Sequence, residues 1–333
     1  MSYSKKLIIK IFSYISKIYL RIFGEKNSIL IFMFHAILYE EEIINQKLIC
    51  PNQIITVKDF NNFMEYYVNK GYTFVSPDKI LNGLNKYEKY AMITFDDGYF
   101  NNKNILKILE KYKVPAVFFI STNNVKYNKG FWWDILYREG IKNGRSMRQI
   151  KNEEKLLKNK KHSQIEKYLK NKYGKIALKP VSDIDRPFTS LEIQKISQNK
   201  YVYLGNHTAD HALLRNYDAN EIRFQISDAQ NSIYRMGGLK PTIISYPYGC
   251  YSNEIVRISK EVGLKLGVTI EPRKNYLPIK LEGEDSMVLG RFDMKTQGKI
   301  IELCEIFRTD IPIYNIINFL RRARALVMNK ERC

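Results

Sequence analysis

Cysteine is sparse: Cys50, Cys250, Cys304 and Cys333 are the four in 333 residues, and no two stand at C-x-x-C spacing. That excludes a zinc ribbon on paired cysteines and a disulfide-dense scaffold, and it fits a reducing compartment. Long apolar runs are also missing, none approaching the ~20 residues that a spanning helix needs. Acidic residues are short, 34 against 54 Lys and Arg, which leaves a net charge of +20. A field of that size attracts counter-charge from a polyanion, an anionic membrane or an acidic glycan. No helix-turn-helix, zinc-finger or aromatic-basic RNA-binding motif accompanies it, so nucleic acid is not an expected partner.

The two ends pair apolar residues with cations. In residues 1–27, read as a helix, Lys6, Lys10, Ser13, Lys17 and Arg21 fall on one stripe, with Ile, Phe, Tyr and Leu elsewhere. That pattern suits an interfacial amphipathic helix, or a helix docked on the protein's own core. Lys10 and Lys17 interrupt the apolar stretch and no small-residue cleavage site follows, so it does not read as a signal peptide. Residues 296–333 repeat the combination as a basic helical extension. Together the ends make an anionic membrane surface an expected partner and a peripheral position on the cytoplasmic side of the inner membrane the expected location.

Between them, over 28–295, β-rich runs alternate with helical periodicity, which is the pattern of βα units around a mostly parallel sheet. Strands are expected at 28–34, 73–75, 91–95, 116–120, 202–206, 242–246, 265–270 and 287–290. Seven or eight such strands suit a distorted (β/α) barrel with helical extensions at both ends. A Lys-rich stretch at about 140–185 without strands reads as a helical insertion.

Two of only four histidines stand in "GNHTADH", as His207 and His211. On one helical turn an i, i+4 pair turns both imidazoles to one side, where they can share a metal ion. In a parallel α/β barrel, reactive groups gather at the carboxyl ends of strands. Asp96 and Asp97 end one strand, His207 follows another, His35 ends the first, and Tyr246, Pro247 and Tyr248 end a fourth. A His-His-carboxylate set with open positions is what a catalytic zinc site requires, and of two adjacent aspartates one can ligate while the other acts as base on the water. Tyr99, Trp132, Trp133 and Tyr248 are candidates for stacking on a substrate ring.

"TFDDGY", "HTADH" and "SYPYG", with "FMFHAI", "VPAVFFIST" and "FWWDIL", resemble the successive motifs of the polysaccharide deacetylases, the NodB-homology group of carbohydrate esterase family 4. The resemblance covers about residues 28–295, in a bacterial subgroup found with exopolysaccharide and surface-glycan synthesis. It implies that Asp97, His207 and His211 bind one divalent metal ion, usually zinc, and that Asp96 is the general base. Two departures stand out. Ser245 occupies the place of an arginine that orients the catalytic aspartate, and the late strand has no histidine. In branches acting on poly-N-acetylglucosamine the corresponding histidine arrives on the first strand, which points to His35 as the proton donor. Arg291 is placed to replace the missing arginine and is counted, with Tyr246 and Pro247, among the residues expected near substrate. The implied activity is hydrolysis of N-acetyl groups on an amino sugar of a surface polysaccharide, glycolipid or lipid-linked glycan. A silent glycan-binding barrel and an O-acetyl esterase are the alternatives. No motif specifies an oligomeric state.

Overall fold

The sheet is built from strands whose β-branched and aromatic residues are buried on both faces, as a parallel sheet covered by helices requires. A computed structural model describes residues 3–295 and 298–310. The strands are β1 (Ser28–Phe34), β2 (Ala36–Leu38), β3 (Ile54–Thr56), β4 (Thr73–Phe74), β5 (Tyr90–Phe95), β6 (Ala116–Ile120), β7 (Val202–Asn206), β8 (Ile243–Ser245), β9 (Leu266–Val268), β10 (Asn275–Tyr276) and β11 (Phe292–Asp293). Nine of them form one sheet in the order β10-β1-β5-β6-β7-β8-β9, with β11 beside β1 and β4 beside β5. All its pairings are parallel except that of β10 with β1.

The sheet curls into a distorted (β/α) barrel. Leu289 bridges Val268 at the end of β9, and Phe292 pairs with Phe32 of β1, so one short segment links the two ends of the curl. Gly267 permits that passage: a Cβ there would lie 2.2 Å from the Met287 carbonyl oxygen. The strand expected at 287–290 is therefore a crossing segment, because its backbone bonds are divided between β9 and the approach to β1. The short β2, β3 and β10 had no readable pattern, since two or three residues are too few for periodicity.

Side chains alternate by strand period. Leu30, Phe32 and Phe34 of β1 join a cluster under the helices with Phe60, Phe63 and Phe95, while Ile29 and Ile31 face the interior with Met92, Val117 and Phe119. The helix Val57–Asn69 supplies Phe60, Phe63, Met64 and Tyr67, and it starts where the Thr56 hydroxyl accepts from the Asp59 amide at 2.8 Å. The insertion forms the helices Met147–Lys158 and His162–Tyr173, whose Ile150, Leu157, Ile165 and Leu169 close on Trp132 and Leu136.

The helix Tyr3–Phe23 packs beside the helix Ile300–Arg308 through Ile9 and Phe12. Arg308 fastens this corner, donating to Glu25 Oε2 at 2.9 Å and to the Tyr66 hydroxyl at 3.0 Å. Ser13, expected on the exposed polar stripe, is buried with Ser16, because small side chains let the helix lie close to the domain. Leu7, Ile11, Tyr14, Ile15, Ile18 and Ile22 consequently face outward. The Lys6 side chain and residues 311–333 of the basic C-terminal extension lie outside the described residues.

Candidate metal and catalytic centre

The strand register gathers the candidates on one rim. β1 and β5 align Phe34 with Phe95, so His35 and Asp96 leave the sheet at one level, and the Asp96 amide still donates to the Phe34 carbonyl at 2.9 Å. β7 and β8 align Asn206 with Ile244, which sets His207 beside Ser245. The chain must then turn sharply. Of the six non-glycine residues with positive φ among those described, Asp97 (φ 76°), Thr208 (φ 62°), His211 (φ 50°) and Tyr248 (φ 60°) all lie here. Such conformations cost of order 1–3 kcal/mol each and persist where surrounding contacts over-determine them.

The histidines converge by a route different from the expected helical turn. Residues 207–213 are irregular, and their path is held by the Thr208 amide on Asn206 Oδ1 and the Ala212 amide on Thr208 Oγ1, both at 2.8 Å. His207 Nε2 lies 3.4 Å and His211 Nε2 3.3 Å from Asp97 Oδ1. His207 Nδ1, 2.8 Å from the Ser245 carbonyl, is the protonated nitrogen, which leaves Nε2 its lone pair. Asp97 is 1% exposed, and neither of its carboxylate oxygens has a hydrogen-bond partner among the described residues.

This donor set fits a divalent metal. The three ligand atoms lie within 4.8 Å of one another. Two ligands each about 2.05 Å from one tetrahedral ion sit about 3.3 Å apart, as the histidine nitrogens do from Oδ1. A buried carboxylate without hydrogen bonds is costly unless a cation neutralises it.

Asp96, one residue earlier, has both oxygens hydrogen-bonded. Arg291 donates from Nη1 to Oδ1 at 2.7 Å and from Nη2 to Oδ2 at 2.8 Å, and the Ser245 hydroxyl donates to Oδ2 at 3.1 Å. The remaining guanidinium donors reach the Thr269 carbonyl, Thr94 Oγ1 and Ser245 Oγ at 2.8–3.0 Å, so all five N–H groups are satisfied. The serine that departs from the family pattern thus completes the site that holds the arginine.

Burial works against ionisation of both aspartates. Arg291 nonetheless holds Asp96 below the usual carboxylate range, and His207 and His211 draw Asp97 below it as well. Burial pushes His211 down to about 4, against the pull of Asp97. His207, equally buried, is drawn up by Asp96 and Asp97.

A cleft of about 180 Å³ opens over these groups, lined by His35, Asp96, Asp97, His207, His211, Trp133 and Tyr248. The Trp133 and Tyr248 rings lie 4.5 and 4.8 Å from His211. Five residues expected near substrate are placed elsewhere. Arg291 is wholly buried beneath Asp96, so it positions that carboxylate and does not reach the cleft. Tyr99 is buried with its hydroxyl on Asp134 Oδ2 at 2.5 Å, and it accepts from Trp133 Nε1 at 3.0 Å. Trp132 belongs to the core of the insertion and props the Tyr248 hydroxyl at 3.2 Å. Tyr246 and Pro247 are buried, their strand-end position turning them inward. Sequence reasoning missed Gln53, Glu154, Lys158, Asp293 and Lys295 on the cleft wall. The i, i+4 pairing of Glu154 with Lys158 was the available signal, but nothing local says that the insertion folds back over the rim.

The polysaccharide deacetylase family model matches residues 83–267, more than half of the chain. The putative polysaccharide deacetylase YxkH of Bacillus subtilis is 22% identical over 220 residues, covering 65% of this chain, which spans only 58% of that relative's length. Among solved structures, the Streptococcus pyogenes deacetylase PplD in complex with acetate superposes with a TM-score of 0.58 at 18% identity, over 85% of this chain and 100% of that one. IcaB from Ammonifex degensii gives 0.55 at 16% identity, over 86% and 99%. At these identities the structural likeness establishes the fold, and with the matched family model it leads to one conclusion: the chain belongs to the polysaccharide deacetylase family.

Proposed function

We propose that this protein is a metal-dependent carbohydrate N-deacetylase that removes acetyl groups from amino sugars of a surface polysaccharide or lipid-linked glycan. The observation that carries the reading is the pair Asp96–Asp97, one carboxylate held by Arg291 and Ser245, the other bare between two imidazole nitrogens. Asp97, His207 and His211 would hold the ion, zinc being the best match to two imidazoles and a carboxylate. When bound it supplies Lewis acidity to the amide carbonyl and makes water a nucleophile near neutral pH.

The chain's own groups do the rest. A carboxylate offers about four acceptor positions, and Arg291 and Ser245 occupy three on Asp96, leaving one toward the cleft for the proton of the attacking water. His35, half-buried in the cleft lining, protonates the departing amine nitrogen, which is too basic to leave as an anion. Trp133 and Tyr248 line the cleft and supply aromatic surface for a sugar. Acetate release from N-acetylglucosamine oligomers by the zinc-loaded chain, abolished by chelation and restored by zinc, is the expected result. Release from acetate esters alone would establish the O-acetyl esterase, and saccharide binding without release under any metal would establish the silent barrel.

A second reading concerns the amino-terminal helix. Its outward row of Leu7, Ile11, Tyr14, Ile15, Ile18 and Ile22 lies beside Lys10, Lys17 and Arg21, and this suits shallow insertion into an anionic membrane surface. No described helix is long and apolar enough to cross a membrane. The full chain should float with phosphatidylglycerol-containing vesicles and lose this when residues 1–25 are removed. Flotation unchanged by the deletion would overturn the assignment to this helix.

A further inference from the structure

Residues 131–134, read Phe-Trp-Trp-Asp, act on both aromatic rings of the cleft. Trp132 and Trp133 open the helix Trp132–Lys142 with their rings inclined at 79° to one another. Trp132 is buried and donates from Nε1 to the Tyr248 hydroxyl at 3.2 Å. Trp133 is only half-buried. It lines the cleft and an adjoining concavity of about 380 Å³, so a saccharide extending from one into the other crosses its indole. Phe131 backs that indole, the ring centroids 5.4 Å apart and the planes 19° from parallel.

A stacked ring can still slide in its own plane, and a hydrogen bond at its edge removes that freedom. Here the bond is the first link of a buried chain. Trp133 Nε1 donates to the Tyr99 hydroxyl oxygen at 3.0 Å, Tyr99 donates to Asp134 Oδ2 at 2.5 Å, and Asp134 Oδ1 accepts from the Cys50 amide at 3.4 Å. Its direction is fixed by the first member, because an indole N–H can only donate. Burial pushes the Asp134 carboxyl well above its usual range, and ionised or neutral it keeps an acceptor oxygen for Tyr99. Tyr99 and Asp134 are 0% and 1% exposed, and Asp134 forms no ion pair among the described residues. Packing alone does not call for this, since an apolar pair of similar size fills a core without the cost of a buried carboxyl. Tyr99 stands two residues after Asp97, so the chain ties the indole to the loop that bears the candidate metal ligand.

We infer that Tyr99 and Asp134 are positioning residues, whose hydrogen-bond chain fixes the Trp133 indole 4.5 Å from the His211 ring as the platform on which the sugar rests. Neither residue touches substrate. The inference rests on the deacetylase reading of the cleft and adds the groups that set where the sugar lies against the candidate metal ligands.

The test titrates the zinc-loaded full chain with an N-acetylglucosamine trisaccharide by calorimetry and measures kcat and KM for acetate release on the same probe. Tyr99→Phe should raise Kd and KM by about fivefold with kcat nearly constant, the pattern of an interaction lost equally from substrate and transition state. Once Trp133→Phe has removed the N–H, adding Tyr99→Phe should have no further effect. Asp134→Asn keeps an acceptor for Tyr99, gives up only the long Cys50 contact and should stay close to wild type, whereas Asp134→Leu should match Tyr99→Phe. The wild-type chain supplies a readout that needs no activity: the indole N–H of Trp133, one of two tryptophans and identified by its loss in Trp133→Phe, should exchange with solvent far more slowly than that of free tryptophan. Fast exchange, equal effects of Tyr99→Phe in the two backgrounds, or a fall in kcat at unchanged Kd overturns the inference. The expected coupling in Kd without acetate release upholds it and refutes the deacetylase reading, and a wild-type chain that binds no saccharide refutes both.

Discussion

Asp96 and Asp97 are neighbours in the chain, equally buried and opposite in circumstance. Asp96 sits on a guanidinium with every donor accounted for, and its carboxylate is locked in place. Asp97, turned the other way by a φ of 76°, has no hydrogen bond to its oxygens among the described residues and two imidazoles in front of it. Under the proposed function, the contrast teaches how one strand end would do two jobs. The group assigned to move a proton is held by fixed donors, whereas the group assigned to bind a cation is left with its charge uncompensated.

Removing Asp97 breaks the comparison most severely. Asp97→Ala should lose stoichiometric zinc and lower turnover by roughly a thousandfold or more. The metal-free protein should be as stable as the wild type, since an unsatisfied buried charge has gone. Retained zinc with normal turnover would end the assignment.

Cutting Asp96 from its partner comes next. Arg291→Met leaves a buried carboxylate alone and should cost about 3–5 kcal/mol in denaturant unfolding. If the variant folds, kcat should fall with KM nearly constant, because Arg291 lies under the base and away from the sugar. A rise in KM alone would return Arg291 to substrate binding.

His35→Ala should lower kcat by about a hundredfold, the scale of one proton-transfer group, with zinc still bound. An unchanged rate would make His35 a packing residue. Smallest, Ser245→Ala removes one donor to Asp96 and one acceptor for Arg291 and should cost about 1 kcal/mol. Zinc affinity should hold, because His207 is oriented by the Ser245 backbone carbonyl, which the substitution keeps. Zinc loss in this variant would show that the two halves of the site are coupled.

The legible parts of this protein were those written in local pattern. The long strands β1, β5 and β6 follow from apolar runs of five to seven residues. Parallel strands put their carboxyl ends on one rim, so the meeting of His35, Asp96, Asp97 and His207 could be read without coordinates. The i, i+4 histidines pointed the right way for an incomplete reason: their convergence comes from positive φ at Thr208 and His211, which spacing alone does not reveal.

By itself, then, the sequence determined the alternation of strands and helices, the rim on which chemistry collects, and the residue types able to hold a metal. Only the tertiary structure decided what surrounds them. It put Arg291 under Asp96, withdrew Tyr99, Trp132, Tyr246 and Pro247 from the cleft, laid the lysines of the insertion along its edge, and turned the apolar face of the first helix outward. The reason is range. Strand and helix periods act over a few residues, whereas the Arg291–Asp96 contact spans 195 positions and exists only because the segment after β9 closes the barrel beside β1.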